Sequence, residues 1–165
     1  MKLVKGDIMN IKQLIDEDFT NYKKPSMFIG FPKCNFKCEK ECGLRVCQNG
    51  ILATSPMMDV DLQSIVDRYI KNDITKAIVV GGLEPFDSFN DLLNLVIETR
   101  DYVEDDIVIY TGYYKEEIKD MIKTLKCFKN IVVKFGRYIP NQQPHYDEVL
   151  GVYLASDNQY AERIS

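Results

Sequence analysis

The sequence predicts a single α/β domain with a mostly parallel sheet. Short apolar runs alternate with amphipathic segments of helical period, and no linker, repeat or low-complexity stretch divides the 165 residues. Strands that alternate with helices form βα units, which favour parallel pairing. A chain of this length also corresponds to one domain. We therefore expect one domain over residues 1–165, with an N-terminal extension over 1–25 and a first strand and cysteine-rich loop over 26–50.

The elements follow from hydrophobic periodicity. Ile11, Leu14, Ile15 and Phe19 have helical spacing within the first 22 residues, which predicts a short helix there. The apolar run 26–30 predicts a buried strand that leads directly into the cysteines. Further strands are predicted over 76–80, 106–110, 130–134 and 149–155, and helices over 59–72, 88–102 and 115–126.

The turns that follow these strands should lie close together. Right-handed βα crossovers gather the loops after parallel strands at one edge of the sheet, where α/β folds place their binding sites. The cysteine loop, the Gly81-Gly82 pair and the Tyr110-Thr111-Gly112 turn each follow a predicted strand. We expect them to converge on one site.

Charge and hydropathy exclude several classes of function. The formal net charge is −4, which argues against non-specific binding to nucleic acid. No apolar run approaches the roughly 20 residues that span a bilayer, and residues 1–10 do not resemble a signal peptide. We expect a cytoplasmic protein without nucleic-acid or membrane partners. The single histidine, His145, disfavours Cys–His and Ser–His–Asp catalysis.

The cysteine cluster carries the strongest chemical signal. Four of the five cysteines lie within fourteen residues, at Cys34, Cys38, Cys42 and Cys47. Buried structural cysteines or a disulfide framework are alternatives, but the loop is charged and cytosolic thiols stay reduced. Thiolates are soft ligands that suit zinc or iron–sulfur clusters. Zinc sites usually contain close Cys-x2-Cys pairs, which this loop lacks.

The cysteine loop resembles that of the radical S-adenosylmethionine (SAM) enzymes, in which three cysteines hold a 4Fe–4S cluster and leave one iron open for SAM. Cys34 and Cys38 match the first two ligands, and Cys47 matches the third because Cys47-Gln48-Asn49 resembles the Cys-x-Asn ending of activase members. The family spacing is Cys-x3-Cys-x2-Cys, whereas eight residues separate Cys38 from Cys47 here. Cys42 is the rival third ligand, and a cluster held by all four thiols would leave no open iron.

Two further motifs extend the resemblance. Gly81-Gly82-Leu83-Glu84-Pro85 is similar to the Gly-Gly-Glu-Pro segment that binds the SAM amino group, with Leu83 as an extra residue. The segment Tyr110-Thr111-Gly112-Tyr113 resembles the activating proteins of anaerobic ribonucleoside-triphosphate reductases. The resemblance implies that Gly81, Gly82, Glu84, Pro85, Thr111 and Asn49 contact SAM.

Two C-terminal segments also resemble that subgroup. Lys134 stands where the subgroup often has an aspartate, and Ser156, Asn158 and Gln159 match its Ser-x-Asn-Gln element. Lys134 and Arg137 are candidates for contacting the SAM carboxylate or an acidic partner, and a solvated surface role is the alternative. The resemblance implies a partial, open βα barrel as the fold.

The resemblance implies an oxidoreductase. In this family, electron transfer from the reduced cluster cleaves SAM to a 5′-deoxyadenosyl radical, and the activating proteins use that radical to generate a glycyl radical on the large subunit of the anaerobic reductase. A flavodoxin or ferredoxin supplies the electron. Tyr113, Tyr114 and Tyr138 are candidate partner contacts. The alternatives are a radical SAM enzyme with another substrate and a non-catalytic iron–sulfur or zinc module.

Overall fold

The computed structural model describes residues 7–44 and 49–165 of the chain. Its strands are β1 Ile8–Ile11, β2 Gln13–Asp18, β3 Ser26–Phe31, β4 Met58–Asp61, β5 Ala77–Gly82, β6 Asp106–Tyr110, β7 Ile131–Phe135, β8 His145–Asp147, β9 Val152–Leu154 and β10 Tyr160–Arg163. Its α-helices are α1 Lys37–Cys42, α2 Gly50–Thr54, α3 Leu62–Ile70, α4 Phe89–Arg100 and α5 Lys119–Leu125, and 3-10 turns at Pro85–Ser88 and Lys115–Ile118 precede α4 and α5.

A six-stranded sheet with the order β10-β7-β6-β5-β3-β2 forms the centre of the molecule. Its four inner strands are parallel, and β2 and β10 pair antiparallel at the two edges of the described sheet. The predicted α/β class and the mostly parallel sheet are therefore confirmed. The partial barrel stays a prediction. Two small antiparallel pairs, β1-β4 and β8-β9, complete the strand pairing.

The helices cover one face of the sheet. Alternate residues of the parallel strands, such as Met27, Ile29 and Phe31 of β3, point into a core that they share with α3, α4 and α5. The other face is covered by the β8-β9 hairpin, through Leu150 and Leu154 among others. Because strands buried on both faces need apolar residues at consecutive positions, the parallel strands read as continuous apolar runs.

The predicted N-terminal helix is wrong. Its residues form β1 and β2, and β2 pairs with β3 along the sheet. Met9 and Ile11 are buried two positions apart, as in a strand, whereas Ile15 and Phe19 of the helical pattern are exposed. Pairing with β3 satisfies the backbone hydrogen bonds of β2, so long-range contacts override the local spacing.

The later elements differ from prediction mainly at their ends. The predicted helix 59–72 begins only at Leu62, because the preceding residues form β4, and the predicted helix 115–126 opens as a 3-10 turn. The predicted strand 149–155 shortens to β9, which pairs with β8 outside the main sheet. The last strand of the sheet is instead β10, which the sequence analysis missed. None of the described helices is long and apolar enough to cross a membrane.

Candidate metal centre

The loops after β3, β5, β6 and β7 enclose one cleft of about 450 Å³ at the carboxyl edge of the parallel strands. This volume lies within the ordinary range for small-molecule sites. The predicted cluster ligands and SAM contacts that line it are Cys34, Cys38, Asn49, Gly81, Gly82, Glu84 and Thr111, and the other candidates that line it are Lys134, Tyr138 and Gln159. The expected convergence of the cysteine loop and the two glycine-containing turns is therefore observed.

Two cysteine thiols face the cleft from the loop after β3. Cys34 lies in the extended part of the loop, and its Sγ accepts a hydrogen bond from the backbone N–H of Phe36 at 3.2 Å. Phe36 has a left-handed backbone (φ 55°), which turns the chain into α1. This turn brings Cys38, in the first turn of α1, to the same cleft as Cys34.

The other two cysteines of the loop, Cys42 and Cys47, are not among the described residues that line the cleft. The Sγ of Cys42 lies 3.8 Å from the carbonyl oxygen of Glu39 and 3.5 Å from that of Leu44, and Cys42 is not part of the described lining of the cleft. Cys47 lies outside the described residues. The described chain resumes at Asn49, two positions later, and Asn49 lines the cleft.

β5 ends in two adjacent glycines, Gly81 and Gly82, and a side chain is disfavoured at each of them for a different reason. Gly82 has a left-handed backbone (φ 79°), and a Cβ there would lie 2.8 Å from both Gly30 Cα and Leu52 Cδ2. A Cβ on Gly81 would lie 3.3 Å from the ring of Phe28. These glycines therefore let the β5 turn approach β3 and the cleft closely, as expected where backbone must come near a ligand.

Glu84 joins the loop after β5 to the loop after β6. Its carboxylate accepts hydrogen bonds from Thr111 Oγ1 at 2.8 Å, from the Gly112 N–H at 2.9 Å and from the Phe86 N–H at 3.1 Å. Burial raises the pKa of Glu84 to about 7, although these three donors lower it. The next residue, Pro85, is buried and begins the 3-10 turn.

The turn after β6 brings Cys38 close to Glu84. A Cβ on Gly112 would lie 3.7 Å from Glu84 Oε2 and 3.8 Å from Cys38 Sγ. The thiol and the carboxylate therefore flank the same glycine. Thr111, the preceding residue, is buried, and its N–H donates to the carbonyl oxygen of Lys134 at 2.9 Å.

Lys134 is buried, contrary to the alternative of a solvated surface role. Its side chain lies in the cleft at the end of β7, with 7% of the residue exposed. The ammonium group donates to the carbonyl oxygens of Gly136 at 3.0 Å and Thr111 at 3.4 Å. Burial lowers the pKa of Lys134 to about 8, while the negative charges of Glu84 and Cys38 raise it.

A hydrogen-bonded clamp fixes the cysteine loop to the two neighbouring loops. Asp87 accepts from the Asn35 N–H at 3.2 Å and from the Tyr113 hydroxyl at 2.5 Å, and Asn35 Nδ2 donates to that hydroxyl at 3.1 Å. The Lys37 ammonium also lies 4.4 Å from the centre of the Tyr113 ring. Because Asn35 and Lys37 lie between Cys34 and Cys38, the clamp sets the relative position of the two thiols.

Arg137 holds the far end of the cysteine loop. Its buried guanidinium pairs with Glu41 of α1 at 3.1 Å and with Glu117, and it stacks on the Tyr114 ring at 4.7 Å. The pKa of Glu117 falls to about 2, because the hydrogen bond from Arg137 outweighs the effect of burial. Thus Tyr113 and Tyr114, predicted as partner contacts, both have partners inside the chain.

The Ser-x-Asn-Gln element supports the loop after β7. Gln159 Oε1 accepts from the N–H groups of Ala155 and Ser156 at 3.1 Å, and its Nε2 donates to the Gly136 carbonyl at 3.3 Å. Asn158 Nδ2 donates to the Arg137 carbonyl at 2.7 Å. These contacts fix the loop that contains Arg137 and Gly136, and the carbonyl oxygen of Gly136 accepts a hydrogen bond from Lys134.

The two polar residues of the clamp, Asn35 and Asp87, were not predicted as site residues. Asp87 follows the Gly-Gly-Leu-Glu-Pro-Phe segment, and Asn35 follows Cys34. Polar residues are common in loops, so their types alone carry no signal. Their proximity to the two motifs is the one feature that could have singled them out.

The match to a protein family agrees with the cleft's two thiols. The family model of the 4Fe-4S single cluster domain matches residues 25–159, which is most of the chain. The chain belongs to the 4Fe-4S single cluster domain family. Searches of curated proteins and of solved structures found no match.

The residues of the cleft fit the 4Fe–4S cluster of this family. Thiolates are its usual ligands, and Cys34 and Cys38 present two at one mouth of the cleft. Within residues 7–44 and 49–165, no three His, Cys, Asp or Glu side chains gather closely enough to hold a metal ion. The described part of the chain thus places two thiols, those of Cys34 and Cys38, at the cleft.

Proposed function

We propose that this protein is a radical SAM activating enzyme, which generates a glycyl radical on an anaerobic ribonucleotide reductase. The observation that carries the proposal is the convergence of three separate motifs on one cleft. Cys34 and Cys38, the Gly81-Gly82 turn with Glu84, and Thr111 come from three successive strand ends and line the same cavity. A module that only carried a cluster would have no need of the second and third motifs.

The proposed cluster ligands are Cys34, Cys38 and Cys47. Asn49, two residues after Cys47, lines the cleft, so the chain returns to it just beyond this cysteine. The Cys42 thiol contacts backbone carbonyls of its own loop. A 4Fe–4S cluster held by these three thiolates would keep one iron open for SAM, and the chemistry it would supply there is the one-electron reduction that cleaves SAM to methionine and a 5′-deoxyadenosyl radical.

The proposed SAM contacts are the polar groups and glycines beside the two thiols. Gly81 and Gly82 line the cleft and let the β5 turn pack closely against β3, so we assign the methionine part of SAM to the cleft beside this turn. Glu84 and Thr111 hold the two turns together through their 2.8 Å hydrogen bond. Asn49 lies at the exposed rim, where it would bind a polar edge of the ligand. Pro85 starts the 3-10 turn that fixes Glu84 in place.

Exposed apolar side chains near the cysteine loop support a protein substrate. Leu44 is 60% exposed, Ile51 87% and Met57 50%, and they flank or follow the segment that contains Cys47. Exposed apolar residues that share one surface are typical of protein–protein contacts, and the proposal assigns these three to such a surface. The proposed partners are the large subunit of the anaerobic reductase and a flavodoxin or ferredoxin as electron donor.

The test is anaerobic SAM cleavage with single cysteine variants. The protein is reconstituted with iron and sulfide, reduced, mixed with SAM, and assayed for 5′-deoxyadenosine. We expect Cys34→Ala, Cys38→Ala and Cys47→Ala each to abolish the product, and Cys42→Ala to retain it. Cys127→Ala, at an exposed position in the turn after α5, is the matched control for the loss of a thiol.

The main alternative is a module that carries a cluster without SAM chemistry, because the family description names a 4Fe-4S cluster and no reaction. A reconstituted, brown protein that forms no 5′-deoxyadenosine, or a cluster that needs all four thiols of the loop, would support this alternative. Cleavage of SAM without radical formation on the reductase glycine, read by electron paramagnetic resonance, would indicate another substrate.

A further inference from the structure

Among the described residues, Lys134 is the one lysine that lines the cleft, it is buried, and it forms no direct ion pair. The ion pairs formed by the described residues do not include it. Its ammonium group is held by two backbone carbonyl oxygens, those of Gly136 and Thr111. A buried charge is costly unless it is paired or serves a bound group of opposite charge.

The buried carboxylate of Glu84, in the same cleft, is already engaged. Glu84 accepts three hydrogen bonds, from Thr111, Gly112 and Phe86. It contributes a compensating negative charge to the same region without contacting the ammonium. Lys134 therefore remains available to a second anionic group in the cleft.

The thiol of Cys38 belongs to that region. Lys134 Nζ bonds the carbonyl oxygen of Thr111, and the next residue, Gly112, lies against Cys38 Sγ. In register, Lys134 pairs with Tyr110, and its ammonium lies 6.0 Å from the centre of the Tyr110 ring. The side chain thus lies on the sheet face that carries Tyr110, and its ammonium group reaches the turn beside the thiol.

We infer that Lys134 sets the reduction potential of the cluster bound through Cys34 and Cys38, by stabilising the negative charge that one-electron reduction adds. The inference rests on the proposed cluster ligands but not on SAM cleavage. A fixed positive charge in a poorly solvated site acts more strongly than one in water, and local charge is a recognised determinant of cluster potentials. Lys134 therefore makes reduction easier before SAM binds.

The test is a redox titration of the cluster-loaded protein without SAM, followed by electron paramagnetic resonance, with dithionite as the one-electron reductant and mediator dyes. For Lys134→Met we expect at least a tenfold lower equilibrium constant for reduction, which is a midpoint 59 mV more negative. Lys134→Arg, which keeps the charge, should stay near the wild-type midpoint. Lys126→Met removes the same charge from the exposed end of α5 and should leave the midpoint unchanged.

If Lys134→Met does not retain its cluster, Lys134→Gln replaces it as the neutral variant in the titration, because the amide can still donate to the Gly136 carbonyl. An unchanged midpoint in either neutral variant would overturn the inference. An unchanged midpoint together with weaker SAM binding would instead identify Lys134 as a ligand contact. Failure of the proposed function is detected in a separate assay, in which the wild-type protein would form no 5′-deoxyadenosine from SAM. That result does not affect the midpoints measured without SAM.

Discussion

At the scale of single residues, Gly82 is the position least able to accept a side chain. Its left-handed backbone is unfavourable for other residues, and a Cβ would clash at 2.8 Å with Gly30 Cα, which is backbone and cannot rotate away. We expect Gly82→Ala to lower the free energy of unfolding by about 2 kcal/mol or more. Urea unfolding of the cluster-free protein measures this change.

Gly50→Ala is the matched control for that substitution. Gly50 begins α2, and a Cβ there would have no neighbour within 4 Å among residues 7–44 and 49–165. Alanine favours helix over glycine, so the control should be neutral or stabilising by up to about 1 kcal/mol. Equal destabilisation by the two substitutions would contradict the assigned backbone conformation of Gly82.

The residues of the cleft were predictable to different degrees. Cys34, Glu84 and Thr111 could be found because each follows an apolar strand, and parallel strands bring such turns together. The environment of Lys134 could not, because lysine is rarely buried and nothing local in the sequence distinguishes a buried lysine from a solvated one. Asn35 was missed because its clamp partners are more than 50 residues away.

At the scale of secondary-structure elements, the parallel strands and their helices follow from local patterns, whereas the edge strands do not. Asp106–Tyr110 was predicted with its observed ends, since it is a short apolar run buried on both faces. β2 contains polar residues and β10 is largely exposed, so neither has a strong local signal. Both strands are fixed by pairing with a distant neighbour, β3 or β7.

The clamp on the cysteine loop makes a prediction about cluster retention. Tyr113→Phe removes the hydroxyl that bonds Asp87 and Asn35 but keeps the ring beneath Lys37. Groups that orient metal ligands commonly change affinity 10–100-fold. We therefore expect loss of the cluster to a chelator, followed by visible absorbance, to become about tenfold faster in Tyr113→Phe.

Tyr114→Phe is the control for this effect. Its hydroxyl accepts from Asn158 rather than from the cysteine loop, and the ring that stacks with Arg137 remains. Tyr113→Phe removes two hydrogen bonds and Tyr114→Phe removes one. At about 1 kcal/mol for each bond, the free energies of unfolding of the cluster-free variants should differ by only about 1 kcal/mol. If Tyr113→Phe and Tyr114→Phe lost their clusters equally fast, the clamp would have no special effect on the thiols.

At the scale of the whole molecule, one carboxylate at the amino edge of the sheet connects distant parts of the chain. Asp106, at the start of β6, accepts hydrogen bonds from the Tyr22 hydroxyl and the Lys24 ammonium at 2.8 Å and from Arg163 at 3.0 Å. Tyr22 and Lys24 precede β3, and Arg163 ends β10. The N-terminal segment and the last strand are thus joined through the centre of the sheet, opposite the cleft.

This network predicts a loss of stability in acid. Burial alone would raise the pKa of Asp106, but the donors from Arg163, Lys24 and Tyr22 lower it to about 2. Because the folded value lies below the unfolded value of about 3.9, the stabilisation is complete above pH 4 and is lost as the pH falls toward 2. Its size is on the order of 2 kcal/mol after allowance for the partly exposed Lys24 and Arg163.

Asp106→Asn isolates this contribution from the other acidic groups. At pH 7 the variant should be less stable than the wild type by about 2 kcal/mol, and the difference should shrink between pH 4 and pH 2. Urea unfolding of the cluster-free proteins at several pH values measures both quantities. Asp101→Asn removes the same charge from an exposed site after α4, so its effect should stay within about 0.5 kcal/mol at every pH. A difference between Asp106→Asn and wild type that stayed constant down to pH 2 would mean that the carboxylate's charge does not hold the two ends of the chain together.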